Sequence, residues 1–497
     1  MTPQERRLYP APRMITLLSA ALRLQALCHA LACGAGTAEP PTATLATHLP
    51  RPAAPTYETI VRGTPKSDTR PPDPNAAQKA LNTRSPGFAT ALKVASVAAQ
   101  QQPGGAAQVV ARSAGVQVRS AGGLGKGSSV LVRGSSGQQV RYFLDGVPLE
   151  LGLGALFSLD DVPLDGLARL EVYRGFVPVA FGGAAMGGVI NIVSATPQVN
   201  AAQGRQLQWQ LDGSLGSFRT RALHASLQLA LPEANADAPQ HAATQTLALR
   251  AGYSGSAGNF PYFSTGGTPH WQGDDGMRER GNNHYNRVVG QLRYDLNTRG
   301  WHLRVQQWAW WKSQGIAGGA SHPTQEATLS ALRVQTLAQA TRRNVPGLGP
   351  GSRFDAAVSL AYGNRTLHDA LGEVGLPRNN ARVHQLEFVL LPKLRLPLWH
   401  DGFLSIVSES SVSARSPGGS EGASHPGEPS QRSATHLSHT RFTQGLGVQL
   451  EQFLWQDRLQ LTPVLRLDVL QSFGASHPSD HLVHLGFSPR LGLRAQL

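Results

Sequence analysis

From about residue 205 onward, apolar and polar residues alternate in segments of roughly 10–14 residues, the length and period of strands that cross a bilayer. Candidate strands begin near Leu207, Arg219, Thr244, Tyr285, Trp301, Leu329, Arg353, Val383, Gly402, Thr440, Asp457 and His484. The alternation is clearest in Leu207-Gln-Trp-Gln-Leu-Asp212 and Leu247-Ala-Leu-Arg-Ala-Gly-Tyr253. A period of two sends neighbouring side chains to opposite faces, so each segment has one apolar and one polar face. After the N-terminus no apolar run reaches the roughly 20 residues a membrane helix needs. A barrel wall with one face to lipid and the other to a polar lumen satisfies both observations.

The connections carry independent information. Apart from a tight first hairpin near Gly216-Ser-Phe218, the odd ones are long: about 255–284, 312–328, 364–382, 413–438 and 471–483. The even ones are mostly shorter: about 232–243, 297–300, 343–352, 394–401 and 454–456. Outer-membrane barrels place long loops outside and short turns on the periplasmic side.

Residues 86–200 read as a compact α/β unit. Ala89–Gln101 is expected to be helical, and Val109–Arg112 a short helix running into a strand at Gly115–Val118. Strands are expected at Val130–Arg133, Val140–Leu144, Leu167–Tyr173 and Val189–Val193. Glycine turns join them in Leu131-Val-Arg-Gly134, Leu144-Asp-Gly-Val-Pro148, Leu170-Glu-Val-Tyr-Arg-Gly175 and Phe181-Gly-Gly-Ala-Ala-Met-Gly-Gly-Val-Ile-Asn-Ile192.

With these spacings the four segments resemble the plug domain of TonB-dependent outer-membrane receptors, and their loop spacing is most like the vitamin B12 receptor branch. The resemblance implies a mainly β fold: a transmembrane β-barrel with an N-terminal α/β plug. It divides the chain into a signal peptide (1–38), a flexible tether (39–85), the plug (86–200) and barrel wall (201–497). It implies an energy-coupled receptor and transporter for a scarce ligand such as a cobalamin or a ferric siderophore, located in the outer membrane of a Gram-negative cell. Expected partners are TonB with its inner-membrane energising complex, the small-molecule or metal-chelate ligand, and outer-membrane lipid. No cofactor, resident metal or enzymatic activity is implied.

The first segment carries Arg6, Arg7 and Arg13 ahead of an apolar stretch from Ile15 to Ala32. It reads as a secretory signal, with Ala30-Leu-Ala32 or Gly36-Thr-Ala38 as cleavage sites. A lipoprotein role for Cys33, or a start at Met14, is the alternative. Cys28 and Cys33 are the only cysteines, so the body of the chain holds no disulfide framework. The tether is rich in Pro, Ala and Thr, interrupted by Tyr57-Glu-Thr-Ile-Val-Arg-Gly63. A β-prone island there suits recognition by strand addition to a partner's sheet edge. By resemblance it is the TonB box, with Tyr57, Glu58, Thr59, Ile60 and Val61 binding TonB.

A plug sets a size requirement. Twelve strands would close at a backbone radius of roughly 12 Å, too narrow for a domain of about 100 residues with a radius of gyration near 13 Å. The plugged transporters use 22 strands and roughly 22 Å. The chain is therefore expected to hold about 12 of 22 strands, as a truncated product or a split barrel completed by a second chain. A terminus at Leu497, which is not aromatic, points the same way.

The glycine-rich Gly122-Gly-Leu-Gly-Lys-Gly-Ser128 resembles a phosphate loop, but Gly127 separates the Gly-Lys pair from Ser128 and no long helix follows. As plug, Ser120–Ser128 and Glu150–Leu156 would be the apical loops that touch substrate, through Gly122, Gly123, Gly125, Lys126, Ser128, Glu150, Gly152 and Gly154. The same resemblance implies that Arg133, Asp145, Glu171 and Arg174 form ion pairs between plug and barrel; pairing within the plug is the alternative. Ala-Ser-His-Pro occurs at 320–323, 423–426 and 475–478, all in expected external loops. Trp301, Trp308, Trp310 and Trp311 are expected to mark an interfacial aromatic girdle.

The net charge of +14 is scattered among strands and turns, with no basic helix or aromatic-basic interleaving, which argues against nucleic acid. A basic lumen or rim attracting an anionic ligand fits better. Gly252-Tyr-Ser-Gly-Ser256 lacks the final glycine of a nucleophile elbow, and no histidine pair has zincin spacing. Competing classes are a passive porin, a signalling receptor without transport, and a non-functional truncated remnant.

Overall fold

In the plug region the elements are β1 (Phe88–Lys93), α1 (Gly105–Ala111), β2 (Val116–Ser120), β3 (Ser128–Val132), β4 (Val140–Leu144), β5 (Val147–Pro148), β6 (Leu167–Arg174) and β7 (Gly188–Ser194). The wall strands are β8 (Gln206–Gly216), β9 (Thr220–Pro232), β10 (Thr244–Ser256), β13 (Tyr285–Thr298), β14 (Trp301–Gly315), β15 (Thr328–Arg343), β16 (Arg353–Asp369), β17 (Asn379–Pro397), β18 (Phe403–Pro417), β19 (His439–Leu454), β20 (Leu459–Gly474) and β21 (Leu482–Ala495). A small hairpin, β11 (Pro261–Ser264) and β12 (Gly276–Glu279), lies between β10 and β13. The computed structural model describes residues 88–94, 105–120, 126–135, 137–149, 158–162, 164, 166–182, 187–199, 205–232, 244–266, 273, 275–298, 300–319, 322–374, 379–398, 402–417, 438–455, 458–474 and 481–495.

The plug sheet has the order β1-β6-β7-β4-β5. The β4–β7 pair is parallel and the others are antiparallel. β2 and β3 pair separately. The helix expected from residue 89 gives way to a strand at its start. Phe88–Lys93 pairs in full register with Arg174–Arg169 of β6. The six residues alternate in size, and a ready antiparallel edge outweighs a weak local helical preference. The four expected strands are present, with β7 buried on both faces as its unbroken apolar run requires.

The wall is one antiparallel sheet of 12 strands, in sequence order from β8 to β21. Every strand expected from alternation is there, within a few residues of its expected start. The loop and turn asymmetry is there too. After the tight hairpin 217–219, one rim carries the connections 257–284, 316–327, 370–378, 418–438 and 475–481, and the other 233–243, 299–300, 344–352, 398–402 and 455–458. Among the described residues β8 and β21 are the two ends of the sheet and do not pair with each other.

The faces invert the ordinary soluble pattern. On β17, Leu386, Phe388 and Leu390 are exposed while Gln385 and Glu387 are buried. On β16, Val358, Leu360 and Tyr362 face out and Ser359 is buried. Apolar side chains outward and polar ones inward suit a wall in lipid around a polar interior. No helix of the described residues is long and apolar enough to cross a membrane.

The inner face holds the plug. Trp308, Leu337, Val389, Leu391, Val407 and Val464 of the wall join one apolar cluster with Leu144, Val147, Val179 and Ile192 of the plug. Each such side chain contributes up to about 1.5–3 kcal/mol when fully buried. The expected girdle is therefore corrected in part. On β14 the even-numbered residues point inward, so Trp308 and Trp310 are buried, whereas Trp311 is exposed on the outer face. Trp301 packs edge-on against Phe354 near the short-turn rim.

Candidate functional site

The plug meets the wall in three places: an apex at the long-loop rim, a polar seam at mid-height, and a cavity toward the short-turn rim. At the apex, Lys126 follows the glycine-rich run and its Nζ donates to the Gly315 carbonyl at the end of β14. The main-chain N–H of Ser128 donates to Ser158 Oγ across 3.1 Å, joining this loop to the segment after Glu150–Leu156. Asn282 lies beside Gly315, and its Nδ2 donates to Ala327 O (2.8 Å) and Thr324 Oγ1 (3.1 Å), joining two long loops. Burial lowers the Lys126 pKa to about 8, and the nearby cations Arg280 and Lys312 push it the same way. His284 is also lowered, by burial and then by Lys126. Gly122, Gly123, Gly125, Glu150, Gly152 and Gly154 lie outside the described residues, as do Tyr57, Glu58, Thr59, Ile60 and Val61.

The seam centres on the turn between β4 and β5. Asp145 and Gly146 both have positive φ, 48° and 79°, the conformation of a two-residue turn between twisted strands. Asp145 Oδ1 accepts from the Ser194 N–H (2.9 Å), and Oδ2 from Ser194 Oγ (2.6 Å) and from Gln306 Nε2 of the wall (2.8 Å). Gln339 Nε2 donates to the Asp145 carbonyl (3.1 Å). Arg293, fully buried, grips Asp295 through Nε (2.5 Å) and Nη2 (3.0 Å), and its Nη1 reaches Ser194 Oγ (3.0 Å) and Ala195 O (2.7 Å).

Other wall cations repeat this pattern of donating to plug carbonyls. Arg333 bonds Leu149 O at 2.7 Å, and Arg490 bonds Val177 O and Gly182 O at 3.0 and 3.1 Å. Arg287 bonds Asp160 O at 3.1 Å. Beside the side-chain bonds of Asp145 and Ser194, plug and wall are thus joined by charge-assisted bonds to plug main chain, which do not depend on side-chain identity.

This differs from the expected plug–barrel ion pairs. Glu171 is held inside the plug by Arg169 (2.7 Å), Tyr173 (3.0 Å) and Asn191 (2.9 Å). Arg174 donates to Ala114 O and Thr90 Oγ1, also within the plug. Burial and the neighbouring Arg133 lower its pKa. Arg133 sits at a second positive-φ corner, φ 51°, where its N–H donates to Gly115 O (2.8 Å). Asp145 is bonded to the wall, through neutral glutamines. The wall residues that hold the plug were not singled out in the sequence. A signal existed: Arg293 and Asp295, two apart on the inward face of one strand, form a charged pair where water is scarce.

The cavity has a volume of about 1510 Å³ and lies between the plug sheet and strands β13 to β19, near the short-turn rim. Plug residues Arg169 and Glu171 face wall residues Arg304, Asp355, Lys393 and Glu451 across it. Of the Ala-Ser-His-Pro repeats, only His322 and Pro323 are described, with Pro323 bridged to Gly318. No group of three His, Cys, Asp or Glu among the described residues could hold a metal ion.

Comparison with known proteins agrees with this geometry. The TonB-dependent Receptor Plug Domain family matches residues 82–189. The vitamin B12 transporter BtuB of Photobacterium profundum is 37% identical over 117 residues, 22% of this chain and 19% of the relative. That of Vibrio cholerae is 30% identical over 126 residues, 25% of this chain and 20% of the relative. Among solved structures, the copper transporter OprC aligns with a TM-score of 0.61 at 12% identity, covering 82% of this chain and 60% of OprC. The ferric enterobactin receptor PfeA of Pseudomonas aeruginosa aligns with a TM-score of 0.58 at 15% identity, covering 83% and 60%. The matched stretch is thus about a fifth of the B12 transporters, and three fifths of the structural neighbours. Residues 82–189 thus match the plug domain of TonB-dependent receptors, and the wall that holds them shares the fold of the solved transporters and receptors.

Proposed function

We propose that the chain acts as an energy-coupled importer of the outer membrane, taking up a cobalamin or a ferric siderophore and drawing on TonB for force. The observation that carries this is the plug seated on the inner face of a lipid-type wall through main-chain carbonyls and wall cations. Such bonds hold a stopper firmly yet can be broken and remade, because neither partner leaves a unique side-chain mate behind. The B12 transporters that match the plug, and the ferric enterobactin receptor that shares the fold, support the ligand classes.

Ligand arrives from the long-loop side and meets the plug apex. The segment Tyr57–Val61 is the TonB box, read in the periplasm by strand addition to the TonB sheet. Force on that tether reaches β1 first. β1 is an edge strand with a single neighbour, β6, so it can be drawn off while the remaining four strands stay paired. The domains are signal (1–38), tether (39–85), plug (86–200) and wall (201–497). This chemistry needs no catalytic group.

The test separates coupling from binding. Ile60→Pro removes an N–H and bends the extended chain. A peptide covering residues 55–65 should bind the periplasmic domain of TonB in a pull-down, and its Ile60→Pro form should not. Equal retention of both peptides would remove the box assignment.

A further inference from the structure

Two spaces in the molecule share one thin partition. The cavity of about 1510 Å³ is lined from the plug by Asp145, Gly146 and Val147. An apolar pocket of about 30 Å³ is lined by Leu144 and Leu149 of the same hairpin, with Trp308, Trp310, Arg333 and Gln335 of the wall. On β14 the cavity takes Trp301, His302 and Arg304, and the pocket takes the later Trp308 and Trp310. The pocket is therefore the one nearer the long-loop rim. Between them stands the segment Asp145–Leu149.

The plug holds this segment at its margin. The pairing of β4 with β7 ends at Leu144, opposite Ile192. β5 is two residues long and, among the described residues, is the last strand of the plug sheet. The wall takes the place of a further neighbour. Gln306 and Gln339 bond Asp145 at 2.8 and 3.1 Å, Arg333 bonds Leu149 O at 2.7 Å, and Lys393 Nζ reaches Gly146 O at 3.4 Å. A side-chain relay also crosses the plug sheet. Asn191 Nδ2 donates to Glu171 of β6, and the Gly146 N–H donates to Asn191 Oδ1, each at 2.9 Å. β6 is the strand that pairs with β1. A short edge segment opens at lower free energy than the strands behind it.

Resting on the importer reading above, we propose that Asp145–Leu149 is a gate. It swings clear of the wall and joins pocket and cavity into one passage along β14–β17, while β4, β6 and β7 stay paired. The Glu171–Asn191 relay ties the gate to β6, and so to the neighbour of the strand that the tether enters. The cavity is the chamber that a solute reaches next. Its volume of about 1510 Å³ exceeds the roughly 300–1,000 Å³ of ordinary small-molecule pockets. Only the hairpin corner has to move for the two spaces to meet.

The experiment follows hydrogen exchange, resolved by residue, in the full chain folded into detergent micelles. In the parent, the amides of Asp145, Gly146 and Leu149 should exchange at least about tenfold faster than those of Leu170–Val172 and Ile190–Ile192. Gln339→Met combined with Lys393→Met removes wall bonds to the corner carbonyls without touching the plug. It should speed the corner by about tenfold more and leave β6 and β7 unchanged. Arg490→Met, which frees Val177 O and Gly182 O elsewhere on the plug, should leave the corner unchanged. A second readout reports the join. In a Cys28→Ser, Cys33→Ser background, Gln335→Cys in the pocket is labelled with iodoacetamide. Its labelling should quicken in the double methionine variant. Corner amides that exchange together with β6 and β7 overturn the gate, as does a corner loosened equally by Arg490→Met. Labelling indifferent to the double variant overturns the passage. These readouts need no TonB, so the importer reading stands or falls separately, with the TonB-box peptide.

Discussion

Gln306, on the inner face of β14, donates a 2.8 Å hydrogen bond to Oδ2 of Asp145 at the corner of the β4–β5 turn. The two residues are 161 positions apart. The same carboxylate takes the N–H and hydroxyl of Ser194, the last residue of the plug sheet. One side chain therefore ties the plug's edge hairpin, its final strand and the wall together.

Replacing Asp145 tests that tie. Asp145→Ala leaves the Ser194 N–H and Gln306 without their acceptor and places an alanine at φ 48°. The expected loss is about 3 kcal/mol. Asp145→Asn tolerates the same φ and keeps one acceptor, so it should lose about half as much. Urea unfolding in micelles measures both. An alanine variant as stable as the parent would dismiss the tie.

Arg293→Met tests the wall side. Arg293 has no exposure, and its removal strips Asp295, itself 3% exposed, of two charge-assisted bonds. Arg304, at 2.9 Å, still holds Asp295. The expected cost is about 3 kcal/mol, the low end for a broken buried pair. Protection of the amides around Ser194 and Ala195 in hydrogen exchange should fall. Unchanged protection there would mean Arg293 does not anchor the plug.

Gly166 probes close approach. Its φ is 76°, and any Cβ would run into Gln291 of the wall. Gly166→Ala should lower stability by about 1–3 kcal/mol, through positive-φ strain plus displacement of Gln291. Gly134, with φ 76° but nothing near its Cβ position, should lose only about 1 kcal/mol on the same change. Equal losses at the two sites would show that the plug does not press on the wall at Gly166.

Acidity gives a fourth check at Lys126. Its pKa is about 8 in the fold against 10.5 ordinarily, with Arg280, Lys312 and His284 as the neighbouring groups. A lysine depressed this way binds a proton more readily when unfolded, so its contribution to stability rises as pH climbs from 8 to 10.5. Urea unfolding in micelles at pH 8 and pH 10 should show this gain, and Lys126→Met should lose it. The same pH dependence in parent and variant would contradict a depressed Lys126 amine.

The wall was legible in the sequence because period-two alternation is a local property. Each strand needs only its own residues to declare two faces, and loop lengths declare the rims. The plug's turns were legible for the same reason: Arg133-Gly134 and Asp145-Gly146 name their conformation in two letters. Phe88–Lys93 was misread because its strand form depends on β6, about 80 residues later. Trp308 and Trp310 look like girdle residues until the inward register of β14 sets Trp308 in the cluster of Leu144 and Ile192 and Trp310 between Val289 and Ala331.

The sequence by itself thus determined the wall strands, their turns, and that an α/β unit precedes a wall with an apolar and a polar face. Which residues join plug to wall was decided only in three dimensions. Glu171 and Arg174 turned inward to plug partners, and Arg293, Arg333 and Arg490 supplied the grip instead. The reason is physical: propensity and periodicity act over a few neighbouring residues, whereas a charge buried at an interface is satisfied by whatever the fold brings within about 3 Å.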